Sequence, residues 1–264
     1  MQFRLTPAVK ALSIICFGAF VVQQTADQFL GGNLLGFFAL LPSGFVLEHR
    51  FWQLFTYAFL HGDLMHLVLN LAMLVFIGSE LEAAWGTSRF LRFYFFCSIA
   101  AGLSYLFLQL FLGGQALHTP MVGASGAIYG LLMAYGLLFG NRVLLFMMLF
   151  PMKAKHFVWI LAAIEFMSTV FSSRAGIAGI AHLGGMAAGW LYLWGYGAYL
   201  VMKRRRLDSQ QSGGRPKKRR SAGHLKLVIG REAGREEGKK DRGKDGSGDS
   251  EYEDDSDNSP KTWH

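Results

Sequence analysis

Six stretches of the chain are apolar at most positions over lengths close to that of a membrane-crossing helix: residues 7–24, 63–79, 88–112, 125–140, 155–172 and 178–201. About 20 mainly apolar residues cross about 30 Å of hydrocarbon, and helices enclosed in a bundle can be somewhat shorter. The pattern predicts an all-α membrane protein built as a six-helix bundle. Between the fourth and fifth stretches, residues 143–152 are apolar but too short to cross alone and are cut at Pro151, so they are expected to form an interfacial excursion. The connection over residues 25–62 is long and itself apolar from Leu34 to Leu41, before Pro42, Ser43 and Gly44 interrupt it. Two readings stay open for it. One is a poorly ordered loop touching the bundle, and the other is a structured element partly sunk in the outer leaflet that can admit an apolar substrate.

Charge divides the chain in two. Residues 1–202 carry 9 of the 26 Lys and Arg and 6 of the 18 Asp and Glu, so the net charge of +8 and mean hydropathy of +0.28 average two unlike parts. A water-soluble body of that size with so few charges would lack polar surface, which leaves the membrane as its solvent. Residues 203–264 are rich in Lys, Arg, Gly, Ser and acidic side chains; such a segment buries too little to order itself and is expected to be a disordered cytoplasmic tail. Its basic run from Arg215 to Arg220 is expected to lie against anionic lipid rather than to bind nucleic acid. Arg4, Lys10, Arg89, Arg92, Arg142, Lys153, Lys155 and the cluster 203–206 all fall on one side of a six-span arrangement, and only Arg50 and Arg174 on the other. Basic residues are retained in the cytoplasm, so both termini of a multi-pass membrane protein are expected there, with the first span retained and not cleaved as a signal. Cys16 and Cys97 both lie in apolar runs with no ligand partner at metal spacing, so neither a disulfide framework nor a cofactor is expected.

Polar residues inside these spans are costly, and they concentrate at three places. Ser125 sits between Gly123 and Gly126 at the external start of the fourth stretch. It can be a helix cap, or a nucleophile if a base lies within reach. His182 opens the sixth stretch three residues before Gly185, and Gly185-x-x-x-Gly189 is a close-contact face matching Gly126-x-x-x-Gly130 next to Ser125. Two helices meeting through those glycines would bring hydroxyl and imidazole together. The alternative is two unrelated dimerisation motifs. No acid at a telling spacing completes the pair; Asp63 and Glu165 are present, but neither points to His182. Tyr129 lies one turn from Ser125, where its ring can stack on the imidazole or simply pack. On the second stretch His66 and Asn70 share a face, with His61 just above, and together they can donate to a developing oxyanion. His61 and His66 are too poorly spaced, and lack a carboxylate, for a metal site.

The three motifs in this order, His61-x-x-x-x-His66-x-x-x-Asn70, Gly123-Ala-Ser-Gly126 and Ala181-His182 with its glycines, resemble those of the rhomboid family of intramembrane serine proteases. The resemblance covers residues 5–202. It implies a rhomboid-like six-span domain of the bacterial type over residues 1–202, placed in a bacterial inner membrane, a membrane-associated first external loop, Ser125 as nucleophile, His182 as general base, and oxyanion stabilisation by His66, Asn70 and the Ser125 backbone, with Tyr129 beneath the histidine. The implied substrates are transmembrane-helix proteins cut near the external face, in contact with the lipid bilayer and with no cofactor. A catalytically silent relative that only binds transmembrane segments is the other member type the family offers, whereas a channel or transporter finds no inverted repeat here. Phe51-Trp52-Gln53 matches a family signature except that Gln53 stands where arginine is common, which puts the anchoring of the first loop in question. The chemistry leaves oligomeric state and natural substrate open.

Overall fold

A computed structural model describes residues 5–146, 150–171 and 176–213 of the 264-residue chain. Helix α1, Pro7–Phe29, begins with proline in its first turn, where a backbone N–H has no helical partner to lose. The free amides of that turn are taken up by a distant side chain: the Glu82 carboxylate accepts from Ala8 N at 2.9 Å and Val9 N at 3.0 Å, and from the hydroxyls of Thr6 at 2.5 Å and Thr87 at 2.6 Å. Helix α1 runs five residues beyond the expected 24, with Gln23 buried and bonded to His61 and the Asp27 carboxylate accepting from Leu34 N and Leu35 N.

Residues 30–62 hold three short helices, α2 (Leu34–Phe38), α3 (Pro42–Leu47) and α4 (Gln53–Thr56), followed by a 3-10 turn over Tyr57–Phe59. The connection is a structured element and not a poorly ordered loop. Gln53 explains much of that order. Its side chain is fully buried, accepting from Leu41 N at 3.1 Å and donating to Phe37 O at 3.2 Å, so the glutamine ties α4 to the turn between α2 and α3. The doubt that Gln53 raised about anchoring is removed by these two bonds.

The second span starts at α5, Leu64–Met73, capped by Asp63, whose carboxylate accepts from His66 N at 2.8 Å. A π turn over Leu74–Gly78 carries it into α6, Ser79–Trp85, and Gly86 at φ 78° reverses the chain into α7, Thr87–Leu112. Helices α8 (Ser125–Leu138), α9 (Ala154–Phe171) and α10 (Gly176–Gly213) complete the bundle. Among the described residues four helical stretches, Pro7–Phe29, Leu64–Trp85, Thr87–Leu112 and Ala154–Phe171, are long and apolar enough to cross a membrane, while Ser125–Leu138 is apolar but shorter. That helix lies in the middle of the core, with Ala127, Ile128, Leu131, Leu132 and Ala134 all buried against α7 and its neighbours, so protein and not lipid surrounds it. Large apolar side chains such as Phe107, Phe111 and Trp194 stay exposed, the surface expected of a body solvated by acyl chains.

Two expectations change in detail. The segment expected as an interfacial excursion carries two antiparallel strands, β1 (Val143–Phe146) and β2 (Phe150–Lys153), with Pro151 opposite Leu145 on a two-stranded ribbon whose outer edges need no donor from it. The tail expected to be disordered from Lys203 instead continues α10 as helix to Gly213, since Lys, Arg, Leu and Gln are all good helix formers. The rest of the tail, and residues 172–175 between the fifth and sixth stretches, lie outside the described residues.

Candidate active site

Helices α8 and α10 cross through their glycines. A Cβ on Gly185 would collide with the Gly126 carbonyl oxygen, one on Gly189 would lie 2.9 Å from Gly130 O, and one on Gly130 would lie 2.5 Å from Cys97 Sγ of α7. The two glycine motifs are thus one intramolecular contact and not separate dimerisation faces. At the top of that contact His182 Nε2 lies 2.8 Å from Ser125 Oγ. Ser125 is the first residue of α8 and its hydroxyl caps nothing, so the capping role open from sequence is not the one it plays. The Tyr129 ring lies flat on the His182 ring, centroids 4.1 Å apart and planes 4° from parallel, which holds the imidazole edge towards the serine.

The chain before Ser125 is held by the first external connection. Leu40 and Met121 exchange both backbone hydrogen bonds at 3.0 Å, and Gly123 N donates to Tyr57 O at 2.9 Å. Tyr57 is itself buried, its hydroxyl donating to Ser98 O at 2.6 Å. Gly123 has φ 117°, a conformation that a side chain would strain, and a Cβ there would lie 2.7 Å from His66 Nε2. Glycine at 123 therefore lets the His66 ring close onto the backbone one residue short of the Ala124–Ser125 step. Asn70 stands one turn below His66 on the same helix, buried, and its amide nitrogen has no hydrogen-bond partner. A buried donor left open in this way is costly unless something that binds there takes it up. The N–H of Ser125 is one of the initial helix amides without an intrahelical acceptor.

Comparison with known families identifies the fold of apolar helices that carries this serine and histidine. The model of the Rhomboid domain matches residues 48–199, more than half of the chain. The chain belongs to the rhomboid family. It is 34% identical over 158 residues to the mitochondrial Rhomboid protein 1 of Saccharomyces cerevisiae, covering 59% of this chain and 44% of that protein. Over 87 residues it is 38% identical to RHOMBOID-like protein 2 of Arabidopsis thaliana, 33% of this chain and 25% of that one. Over 83 residues it is 37% identical to Rhomboid-like protease 3 of Toxoplasma gondii, 31% of this chain and 29% of that one. The chain thus matches less than half the length of each of these relatives, all three of them eukaryotic. It is a multi-pass membrane protein of a family that includes intramembrane proteases.

Of the residues singled out in the sequence, the rhomboid fold brings Ser125, His182, Tyr129, Gly123, Gly126, His66 and Asn70 to one end of the bundle. His61 is placed differently. Its ring is fully buried, packed edge-on against His66 at 5.1 Å between centroids, and neither ring nitrogen has a partner. Its backbone is gripped by Gln23, with Gln23 Nε2 donating to His61 O at 3.0 Å and His61 N donating back at 3.3 Å. Burial, and then the neighbouring His66, push the His61 imidazole down to about 4. It supports His66 as a neutral ring and does not reach the serine.

One residue dismissed on spacing belongs to the cluster. Glu165 of α9 places Oε2 3.1 Å from His182 Nδ1 and takes a hydrogen bond on Oε1 from the Tyr129 hydroxyl. The expectation that no acid accompanies the pair is overturned. The 3.1 Å separation is an ion-pair distance, but the geometry does not meet that of a well-directed hydrogen bond, so Nδ1 counts as near the carboxylate without being firmly bonded to it.

Proposed function

We propose that the chain is an intramembrane serine endopeptidase that cuts single-span membrane proteins near the external face of the bilayer. The reading rests on the 2.8 Å contact between Ser125 Oγ and His182 Nε2 at the end of the glycine crossing. A serine hydroxyl is a weak nucleophile at neutral pH, and a histidine within hydrogen-bond reach remedies that. His182 Nε2 takes the hydroxyl proton as Oγ bonds to the scissile carbonyl carbon, and the carbonyl oxygen becomes an oxyanion. The open Asn70 amide, the His66 ring beside Gly123 and the Ser125 N–H are the donors for that charge. The carbon–nitrogen bond then breaks as His182 returns the proton to the leaving amine. Water, activated by the same histidine, hydrolyses the acyl-enzyme and restores the hydroxyl.

The helices are proposed to make six crossings with both termini on the cytoplasmic side, which puts the Ser125 end and the connection over residues 30–62 outside. A substrate helix hides its carbonyl in backbone hydrogen bonds, so favoured targets carry helix-weakening residues near the cut.

The test is cleavage of a single-span reporter in liposomes by wild type, Ser125→Ala and His182→Ala. Product is expected from wild type alone. Equal product from Ser125→Ala would remove the protease reading, and an inert wild type that binds the reporter and resists a fluorophosphonate would make the chain a silent scaffold instead.

A further inference from the structure

The rhomboid resemblance implies a serine and a histidine acting as a pair, and the ion-pair contact on the far side of the histidine is not accounted for by that pair. Glu165 is an acid in the middle of an apolar helix, a costly placement that marks a role when a specific partner is at hand. Both of its oxygens are engaged by the cluster. Oε2 faces His182 Nδ1 at 3.1 Å, and Oε1 accepts from the Tyr129 hydroxyl, whose ring is already stacked on that same imidazole. The Glu165 and His182 side chains are 14% and 17% exposed, so the charge–imidazole contact is largely shielded from solvent. The backbone makes room for it: a Cβ on Gly179, one turn before His182 on α10, would lie 2.9 Å from Glu165 O and 3.3 Å from Oε2, and would collide with Thr169 Oγ1. Thr169 in turn donates to Glu165 O at 2.8 Å. Helix α9 is thus fitted against α10 at the point where the carboxylate meets the ring.

We propose that Glu165 is a positioning residue that turns the Ser125–His182 pair into a Ser–His–Glu relay, with Tyr129 holding both the carboxylate and the imidazole. The proposal rests on the protease reading above. An ionised Glu165 favours the tautomer with its proton on Nδ1, which leaves the Nε2 lone pair facing Ser125 Oγ. When Nε2 takes the serine proton, the ring becomes an imidazolium carrying hydrogen on both nitrogens, and the carboxylate offsets its charge without receiving a proton. Nothing is gained or lost beyond the single proton that moves from Oγ to Nε2 and on to the leaving amine. The loosely directed Nδ1 contact of the resting enzyme is expected to tighten once the ring is charged.

Two measurements on the full-length protein in liposomes test this. In the first, Glu165→Gln keeps the size and the Tyr129 contact but removes the charge. Its kcat is expected to fall at least about 100-fold, with KM within about threefold of wild type, as for a charge that acts only when the histidine is protonated. The labelling rate of Ser125 by a fluorophosphonate should fall in parallel. A kcat and labelling rate within about threefold of wild type overturn the proposal. The second needs no change at Glu165: nitrogen-15 NMR of the histidines in the resting wild type, with His182 assigned by its loss in His182→Ala, should show a protonated Nδ1 and a bare Nε2. A His182 protonated on Nε2 overturns the proposal even if Glu165→Gln does not fold. Ser125→Ala, run alongside, separates the two levels: activity surviving in it removes the protease reading itself, whereas activity lost in it but retained in Glu165→Gln removes only the relay.

Discussion

Gly185→Ala tests whether the glycine crossing sets the distance between serine and histidine. The added methyl would overlap the Gly126 carbonyl oxygen and lie 2.9 Å from Gly126 C and 3.4 Å from its Cα. Carbon atoms pack at about 3.5–4.0 Å, and the obstacle here is backbone that cannot rotate away, so the helices must part by about 1 Å. His182 is one turn from Gly185 and moves with it. The 2.8 Å Ser125–His182 contact would then open to roughly 3.8 Å, past the range of a hydrogen bond. Overpacking of this kind costs about 1–3 kcal/mol of stability, and misplacing reacting groups by about 1 Å costs about 100-fold in rate. The expected result is a folded but slightly destabilised protein with reporter cleavage down by about 100-fold or more. Gly197→Ala on the same helix is the control, because its methyl meets nothing within 4 Å and should leave cleavage unchanged. Wild-type cleavage by Gly185→Ala would refute the argument that the glycines hold the pair together.

Three further outcomes follow from contacts elsewhere. Asn70→Ala, which removes the open buried amide, should lower kcat by about 100- to 1,000-fold with little change in KM, measured on the same reporter. Glu82→Ala strips an acceptor from four donors at the start of α1 and should cost at least about 2 kcal/mol, read as a lowered unfolding midpoint in detergent while Glu82→Gln loses less. For His61, the folded protein holds the ring down to about 4 against 6.5 when unfolded, so the unfolded chain binds the extra proton between those values. Stability is therefore complete above pH 6.5 and declines towards pH 4 by about 3 kcal/mol from this group. Thermal unfolding in micelles should show that decline in wild type, and a His61→Leu protein with an equally steep decline would count against it.

The helices were legible because lipid demands long apolar runs, and the Ser125–His182 meeting was legible because glycines at i and i+4 on both partners announce a close crossing. The first connection was half legible: its apolar residues predicted contact with the bundle, but the bonds that order it involve Gln53 and the Leu40–Met121 bridge, which no local pattern encodes. Glu165 was misjudged for the same reason. Its partners lie 36 residues before it on α8 and 17 residues after it on α10, and spacing along one helix says nothing about the rotation of a neighbouring helix. Gln53 shows the reverse error, in which a departure from a family pattern suggested a lost anchor although the shorter amide makes its own two bonds. The pairing of β1 with β2 was hidden because a short apolar run reads equally well as buried helix or strand.

The Glu82 knot has a bearing on how the bundle is put together. A ribosome releases Thr6, Ala8 and Val9 more than seventy residues before the carboxylate that receives them, so this helix emerges with an end that only water can quench. Only when the second span has followed does that end find its seal. The first two crossings are accordingly finished as a pair, and a protein stalled between them would present bare amides where the completed molecule presents none.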